Sequence, residues 1–543
     1  MSSFERAGAW HALSTRRIDL VVIGAGMTGA GVALDAASRG LSVVLVDAGD
    51  FASGTSSKSS KMVHGGLRYL QQREFRLVYE NLRERQRLLE NAPYLVTPLP
   101  FLIPIFTKNH LVSKSLVKGY ATALRLYDWS GGWRIGHRYR RVSKEETLAH
   151  FPTLKPSTLA AGFLYYDARG DDARVALTLA KSAVDFGAIA LNYVRAVAVS
   201  KDEAGRVRSI RLRDEHSGEE REVATTSVVN ATGVWADEIF AMTEKNDSHQ
   251  ITPAKGIHVS VARERLSTDV AAVLNVPGDR RSIFVVPFDD APYTFIGTTD
   301  TPYDGELDEP RCSAQDIDYL LNAVNAATTS DLGVQDVTGV WAGLRPLLAP
   351  KDGEALHQRT SDLSRRHRIT DTRDGVVHVT GGKWTTYRKM AQDAVDALGP
   401  YLPNRSRTRT KKLALHGVSP WRPTTELEGH LFGRYGGDAP RVLELINEDS
   451  SLGETMIKNQ PYVGAEFVFA VREEMATSLI DLLTRRTRAH LHDARATLFA
   501  AAQIATLVAP VAGWSEAETR RQVQEYEALV HLEFEAAGLT VAP

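Results

Sequence analysis

The sequence predicts an α/β nucleotide-binding unit, an α+β unit built on an antiparallel sheet, and a helical C-terminal domain. Three observations carry this prediction. A glycine cluster stands between two apolar runs within residues 18 to 50, and strand-glycine-helix segments recur at 228 to 237 and 376 to 398. Beyond residue 405 apolar residues return at helical spacing. With 543 residues the chain exceeds the size at which one core stops growing, so several domains are expected.

Ile18 to Ile23 is apolar apart from Asp19, short enough for a buried strand, and "GAGMTGAG" follows it directly. Gly24 permits the tight turn, Gly26 lets backbone approach a pyrophosphate, and Gly29 lets the next helix pack closely on the strand. That helix aims its first N–H groups and the positive end of its dipole at the phosphates. "LSVVLVD" (41 to 47) reads as the second strand and ends at Asp47. A carboxylate there accepts hydrogen bonds from both ribose hydroxyls and repels a 2′-phosphate, which disfavours NADP. Together these spacings describe a Rossmann-like dinucleotide site, without separating FAD from NAD.

"TSSKSSKMVHGGLRYL" (55 to 70) gathers hydroxyls and basic groups and contains paired glycines, a composition suited to anions. Its candidates for cofactor contact are Ser59, Ser60, Lys61, His64 and Gly65. "VVNATGVWAD" (228 to 237) adds Ala231, Thr232 and Gly233 after another strand, and "VVHVTGGKWTTYRKMAQDAVDAL" (376 to 398) adds Gly382, Lys383 and Thr385. A second helix start preceded by glycines suits a further negative centre, for instance the N1/C2 carbonyl edge of a reduced flavin.

Composition removes other classes. The 65 basic and 66 acidic side chains leave a net charge of -1, which gives no reason to expect nucleic-acid binding. Cys312 is the only cysteine, so an intramolecular disulfide and a CxxC pair are excluded and no metal site is expected. A reducing compartment fits. The N-terminus lacks the apolar stretch of a secretory signal, and "YLVTPLPFLIPIF" (94 to 106) is too short to span a bilayer and is broken by prolines. The chain is therefore expected to be cytoplasmic or peripheral.

The fingerprint with Asp47, "TSSKSSKMVHGGLRYL", "NATGVWAD", "PAKGIHVSV", "IGTTDTPYDG", "GLRPLL", "GGKWTTYRKMA" and the late "FAVREEMATSLIDLLTRRTRAHLHDARA" resemble the FAD-dependent, quinone-linked glycerol-3-phosphate dehydrogenases. The likeness runs from about residue 18 to 530. It implies tightly bound, non-covalent FAD and oxidation of sn-glycerol 3-phosphate to dihydroxyacetone phosphate by hydride transfer to N5, with electrons passed to a membrane quinone. It further implies peripheral attachment to the inner face of the cell membrane, and it leaves a homodimer open. The fold it implies is a glycine-oxidase or glutathione-reductase-like FAD domain under an antiparallel substrate domain.

That reaction needs an electron acceptor, a base and a clamp for a phosphate dianion. Arginine's planar fork suits phosphate, and the resemblance points to Arg345 in "GLRPLL" and Arg365 in "LSRRHRI". Arg366 and Arg368 compete with Arg365, because the loop before them has no fixed register. Arg68 and Lys383 are expected nearer the flavin and the reacting carbon. Lys383 opens a predicted helix, where a cation opposes the dipole, so a ligand explains it better than stability does. His258 in "KGIHVSV" is the candidate base, with His64 as competitor and Tyr69 as a hydrogen-bonding group for substrate. Cys312 in "EPRCSA" lies away from every flavin-like motif, which argues against a cysteinyl-flavin bond.

The expected division is a discontinuous FAD-binding domain over 18–95, 155–250 and 335–400, a substrate domain over 96–154 and 251–334, and helices over 405–543. Val468, Val471, Met475, Leu479 and Leu482 supply the helical spacing, and Ser515 with Glu518 forms an expected capping box for the last helix. "PLPFLIPI" is expected to be a buried strand rather than an interfacial helix. Two other functions stay in view: a glycerol-3-phosphate oxidase using oxygen, and a non-catalytic FAD-binding, membrane-associated scaffold.

Overall fold

Short apolar segments far apart in the chain meet in one largely parallel sheet. The computed structural model describes residues 4–67, 69, 74–107, 114–244, 250–279, 281–349, 366–403 and 406–541. The sheet runs in the order His367–Asp371, Val376–Gly381, Val228–Asn230, Leu20–Ile23, Val43–Val46 and Ile189–Leu191. All neighbours are parallel except the antiparallel edge strand His367–Asp371. LVVI and VVLV are buried at every position, as strands covered on both faces require. The helix Met27–Ser38 packs against Asp172–Asp185 and Tyr387–Ala397. Its glycines and alanines permit that closeness: a Cβ on Gly31 would stand 2.6 Å from the Tyr387 ring. The parallel strands end at Ile23, Val46, Asn230 and Gly381, and the glycine turns lie just beyond these carboxyl ends, where open α/β sheets bind ligands.

A ten-stranded, mostly antiparallel sheet holds Ile251–Ala262, Ser282–Pro287, Tyr293–Gly297, Val96–Phe106 and Leu159–Gly170, with Val337–Leu348 paired along Ile251–Ala262. "PLPFLIPI" is thus a buried strand. Val337–Leu348 and Leu159–Gly170 lie in this second sheet, although the sequence grouped both with the FAD-binding segments. A separate three-stranded antiparallel sheet, Val194–Lys201, Val207–Asp214 and Glu220–Ala224, packs on one face of the first through Val194, Ala196, Val207, Ile210, Leu212 and Val223.

After residue 405 the longer elements are helices: Glu426–Tyr435, Ala439–Glu448, Gly464–Glu473, Ala494–Ala512 and Glu516–Ala537. The periodic run from Val468 to Leu482 is not one helix. It breaks after Glu473, where Met475 takes φ 52°, and resumes as Leu479–Asp481 and a π-helical turn, Leu482–Arg486. The capping box at Ser515 is half formed. Ser515 accepts the Glu518 amide at 3.2 Å, but Arg521 and Gln522 engage the Glu518 carboxylate instead. Ala494–Ala512 is the one described helix long and apolar enough to cross a membrane. Thr497, Ala501, Ile504 and Val508 on it are buried and pack on Gly464–Glu473 and Glu516–Ala537, while Phe499 on it is exposed.

Candidate active site

The glycine turns and the antiparallel sheet enclose a cavity of about 890 Å³, near the upper end of the range for small-molecule sites. Gly24, Gly26, Asp47, Ser59, Ser60, His64, Ala231, Thr232, Gly233, His258, Arg345, Gly382, Lys383 and Thr385 all line it. Residues from two sheets and seven stretches of chain are brought together there.

At the dinucleotide end the backbone leaves no room for side chains. Gly24 has φ 99°, and a Cβ on it would stand 2.7 Å from the Ala231 carbonyl. A Cβ on Gly29 would meet the Gly24 carbonyl at 1.7 Å, so Gly29 packs helix on turn and does not itself line the cavity. The Asp47 carboxylate accepts the Ala25 amide at 2.6 Å and the Gly49 amide at 3.0 Å. Burial nevertheless pushes it up to about 6. A half-buried acceptor at a strand end, side-chain-free glycine turns and the start of a helix fit the adenosine and pyrophosphate of FAD.

The loop after the second strand is held from below. Lys61, expected as a cofactor contact, turns away: its Nζ donates to the Ser57 and Ser59 carbonyls at 3.3 and 3.4 Å and to Asp172 at 3.4 Å. Burial and the neighbouring Arg488 bring it down to about 8. Gly65 is absent from the lining too, since a Cβ there would stand 2.5 Å from Leu82 and its amide donates to Tyr127 at 2.9 Å. Both residues shape the loop rather than face the cavity.

His258 and Arg345 share one face of the antiparallel pair Ile251–Ala262 and Val337–Leu348. The register sets His258 opposite Trp341, Gly256 opposite Gly343 and Ala254 opposite Arg345, so alternate residues converge on the cavity. The His258 ring stacks on Trp341 at 4.8 Å and 9°, and its Nε2 lies 2.7 Å from Ser60 Oγ. Burial holds the imidazole well below its ordinary range, with Lys61 and Arg345 adding to the effect, so the ring is neutral at neutral pH. Two glycines make the space. A Cβ on Gly297 would meet His258 Cδ2 at 2.0 Å, and one on Gly256 would meet Arg345 Nη2 at 2.3 Å. Arg345 Nη2 donates to Thr298 Oγ1 at 3.1 Å and the Thr299 carbonyl at 3.0 Å, and Nη1 pairs with Asp300 at 3.3 Å.

Gly381 and Gly382 take φ 72° and 86°. They swing the chain so that Lys383 caps the short 3-10 turn Trp384–Thr386, with Tyr387–Ala397 beginning only after it. Its ammonium sits 3.8 Å from the centre of the Tyr69 ring, a cation–π contact. Arg68 and Arg365 lie outside the described residues. Cys312 is buried and does not line the cavity, and the described residues contain no cluster of His, Cys, Asp and Glu suited to a metal.

Sequence reasoning missed the Ser60 contact to His258, the space-making Gly256 and Gly297, and Thr298, Thr299 and Asp300 around Arg345. The signal was present, since Ser60 stands inside "TSSKSSKMVHGGLRYL" and the others inside "KGIHVSV" and "IGTTD", but only the tertiary contacts reveal which side chain each one faces.

A family described as FAD dependent oxidoreductase matches residues 19–388, and one described as C-terminal domain of alpha-glycerophosphate oxidase matches residues 377–519. The chain is 41% identical to glycerol-3-phosphate dehydrogenase 2 of Mycobacterium tuberculosis, over 97% of this chain and 91% of the relative. It is 33% identical to the mitochondrial glycerol-3-phosphate dehydrogenase of Homo sapiens, over 96% of this chain and 74% of the relative. The crystal structure of a glycerol-3-phosphate dehydrogenase from Bacillus halodurans complexed with FAD aligns with a TM-score of 0.79 at 29% identity, over 98% of both chains.

Proposed function

Because this chain belongs to the FAD-dependent glycerol-3-phosphate dehydrogenase family, an FAD-linked group that oxidises glycerol 3-phosphate, we propose that it converts the sn-enantiomer to dihydroxyacetone phosphate and passes the electrons to a membrane quinone. The observation that carries the substrate assignment is the common face of His258 and Arg345 in one cavity with the dinucleotide turns.

Bound FAD supplies the two-electron acceptor. The chain's own groups do the rest. Arg345, braced by Thr298, Thr299 and Asp300, has a fixed fork for the phosphate dianion. His258, neutral and joined to Ser60, is the base for the substrate hydroxyl. Lys383 over Tyr69 supplies positive charge beside the reacting carbon. Roles for Arg68 and Arg365 rest on the family resemblance.

Attachment to the inner face of the cell membrane is supported by exposed aromatic residues. Trp129 is 84% and Trp133 54% exposed, and Phe75 and Tyr79 are exposed one turn apart on a neighbouring helix. Arg134 reaches over both Trp133 and Tyr79, an interfacial mixture of aromatic and basic groups. Oxygen is the alternative acceptor, favoured by the match of residues 377–519 to the oxidase C-terminal domain.

Anaerobic titration with sn-glycerol 3-phosphate should bleach the visible flavin absorption, while glycerol and the other enantiomer should not. No bleaching would overturn the assignment. Reoxidation by a quinone analogue without peroxide supports the dehydrogenase, and stoichiometric peroxide in air supports the oxidase.

A further inference from the structure

The stretch "TRRTRAHLHD" (484 to 493) belongs to the C-terminal helical segment and has no part in the chemistry above. Yet its arginines lie directly beneath the cavity wall. Arg485 and Arg486 leave the π-helical turn, a feature often found at functional sites. Both bind the fully buried Asp50, three residues beyond Asp47: Arg485 at 2.7 Å and Arg486 through two bonds of 2.6 and 2.9 Å.

Arg488 reaches further. Its Nη2 pairs with Asp171 at 3.0 Å and with Asp172, and its Nη1 donates to the Ser57 carbonyl at 3.3 Å. Asp172 is buried and lines the cavity. One of its oxygens accepts the Ser59 amide at 2.9 Å, and the other accepts Lys61 Nζ. Both neighbours of Ser60 are therefore tied to Asp172, and Asp172 is tied to Arg488. Ser60 is the residue whose hydroxyl meets His258.

We propose that Arg488 is a positioning residue of the reaction site: through Asp172 it sets where Ser59 to Lys61 stand in the cavity wall, and it makes the C-terminal helical segment part of the FAD site. The proposal rests on the reading that FAD fills the cavity. A planar fork is required because four acceptors, the carboxylates of Asp171 and Asp172 and the carbonyls of Ser57 and Thr484, diverge around one side chain, and an ammonium cannot serve them in one plane.

A matched control exists in the same structure. Arg174 and Glu474 form a pair at 2.6 Å that is equally buried and joins the same helix, Asp172–Asp185, to the C-terminal segment, but neither residue lines the cavity. Breaking it costs stability without touching the loop.

The test compares Arg488→Lys, Arg488→Met and Asp172→Asn with Glu474→Gln in the full chain. Apoprotein Tm, FAD Kd and the visible absorption band are measured after reconstitution. At an equal fall in Tm, the Arg488 and Asp172 variants should raise the FAD Kd at least tenfold more than Glu474→Gln and shift the flavin band. Arg488→Lys should fall between the parent and Arg488→Met. Should Arg488→Met not fold, Asp172→Asn and Arg488→Lys carry the comparison. Equal FAD Kd and unshifted bands across all variants at matched Tm would overturn the proposal while leaving the function intact. A parent protein that takes up no FAD would overturn the underlying reading and this proposal with it.

Discussion

Replacing Arg345 by alanine separates substrate binding from cofactor binding. The guanidinium is about one-fifth exposed and held on three sides, by Thr298, Thr299 and Asp300, so its fork is pre-organised. Hydrogen bonds to charged groups contribute about 1.5–3 kcal/mol each. Two bonds to a phosphate then amount to about 3–6 kcal/mol, or roughly 10²- to 10⁴-fold in affinity at about 1.4 kcal/mol per decade. Removing the side chain also leaves the Asp300 carboxylate short of a partner, at a cost of about 1–3 kcal/mol in stability. Thr298, Thr299 and Asp300, which brace Arg345, are not among the FAD-contact candidates. Replacement of Arg345 should therefore raise the substrate Kd by at least a hundredfold, read from anaerobic flavin bleaching, and leave FAD Kd, read from flavin fluorescence, within about threefold. Arg345→Lys should recover part of the loss, since it restores the charge without the fork. Equal losses of FAD and substrate affinity, or a substrate loss below tenfold, would refute the reasoning.

Three further outcomes follow from the geometry. Ser60→Ala removes the partner of His258 Nε2 and should slow flavin reduction by roughly 10²-fold in stopped-flow absorbance, with Ser60→Thr close to the parent because it keeps the hydroxyl. Gly297→Ala places a methyl 2.0 Å from His258 Cδ2, so the ring must move. It should match His258→Ala in reduction rate while FAD stays bound, and normal rates would show that the ring has room to spare. Lys61 has a folded pKa of about 8 against 10.5 when unfolded, so the unfolded chain binds more protons between these values and stability from this group rises with pH across that window. Its burial penalty, fully present below about pH 8, is of order 3 kcal/mol. The stability difference between the parent and Lys61→Met, followed by denaturant unfolding from pH 7 to 10, should shift towards the parent above pH 8, and a flat difference would contradict this assignment.

The residues of the dinucleotide turn could be read from the sequence because their requirements are local. A turn at φ 99°, a helix start and a carboxylate ending the next strand each depend on neighbours a few residues away, so Gly24, Gly26 and Asp47 were identifiable one by one. Local periodicity failed where a non-local contact decided the backbone. The Val468 to Leu482 repeat looked like one helix, but Glu474 is drawn to Arg174 and the following turn opens into a π form whose arginines bind Asp50. The half-formed cap at Ser515 has a local cause instead, since Arg521, three residues along the same helix, takes the carboxylate the cap would use.

By itself the sequence determined the α/β nucleotide-binding turns, the cofactor class by resemblance, and the residue types a phosphate and a proton require. Only the tertiary structure decided which of those residues face one another. Lys61 and Gly65 belong to the right motif yet point out of the cavity, whereas Ser60 between them points into it. Side-chain direction there is set by Asp172 and Arg488, which are remote in the chain, and by strand register, in which a one-residue slip would exchange His258 for a neighbour on the opposite face. Such contacts join residues hundreds of positions apart, and no local sequence pattern encodes them.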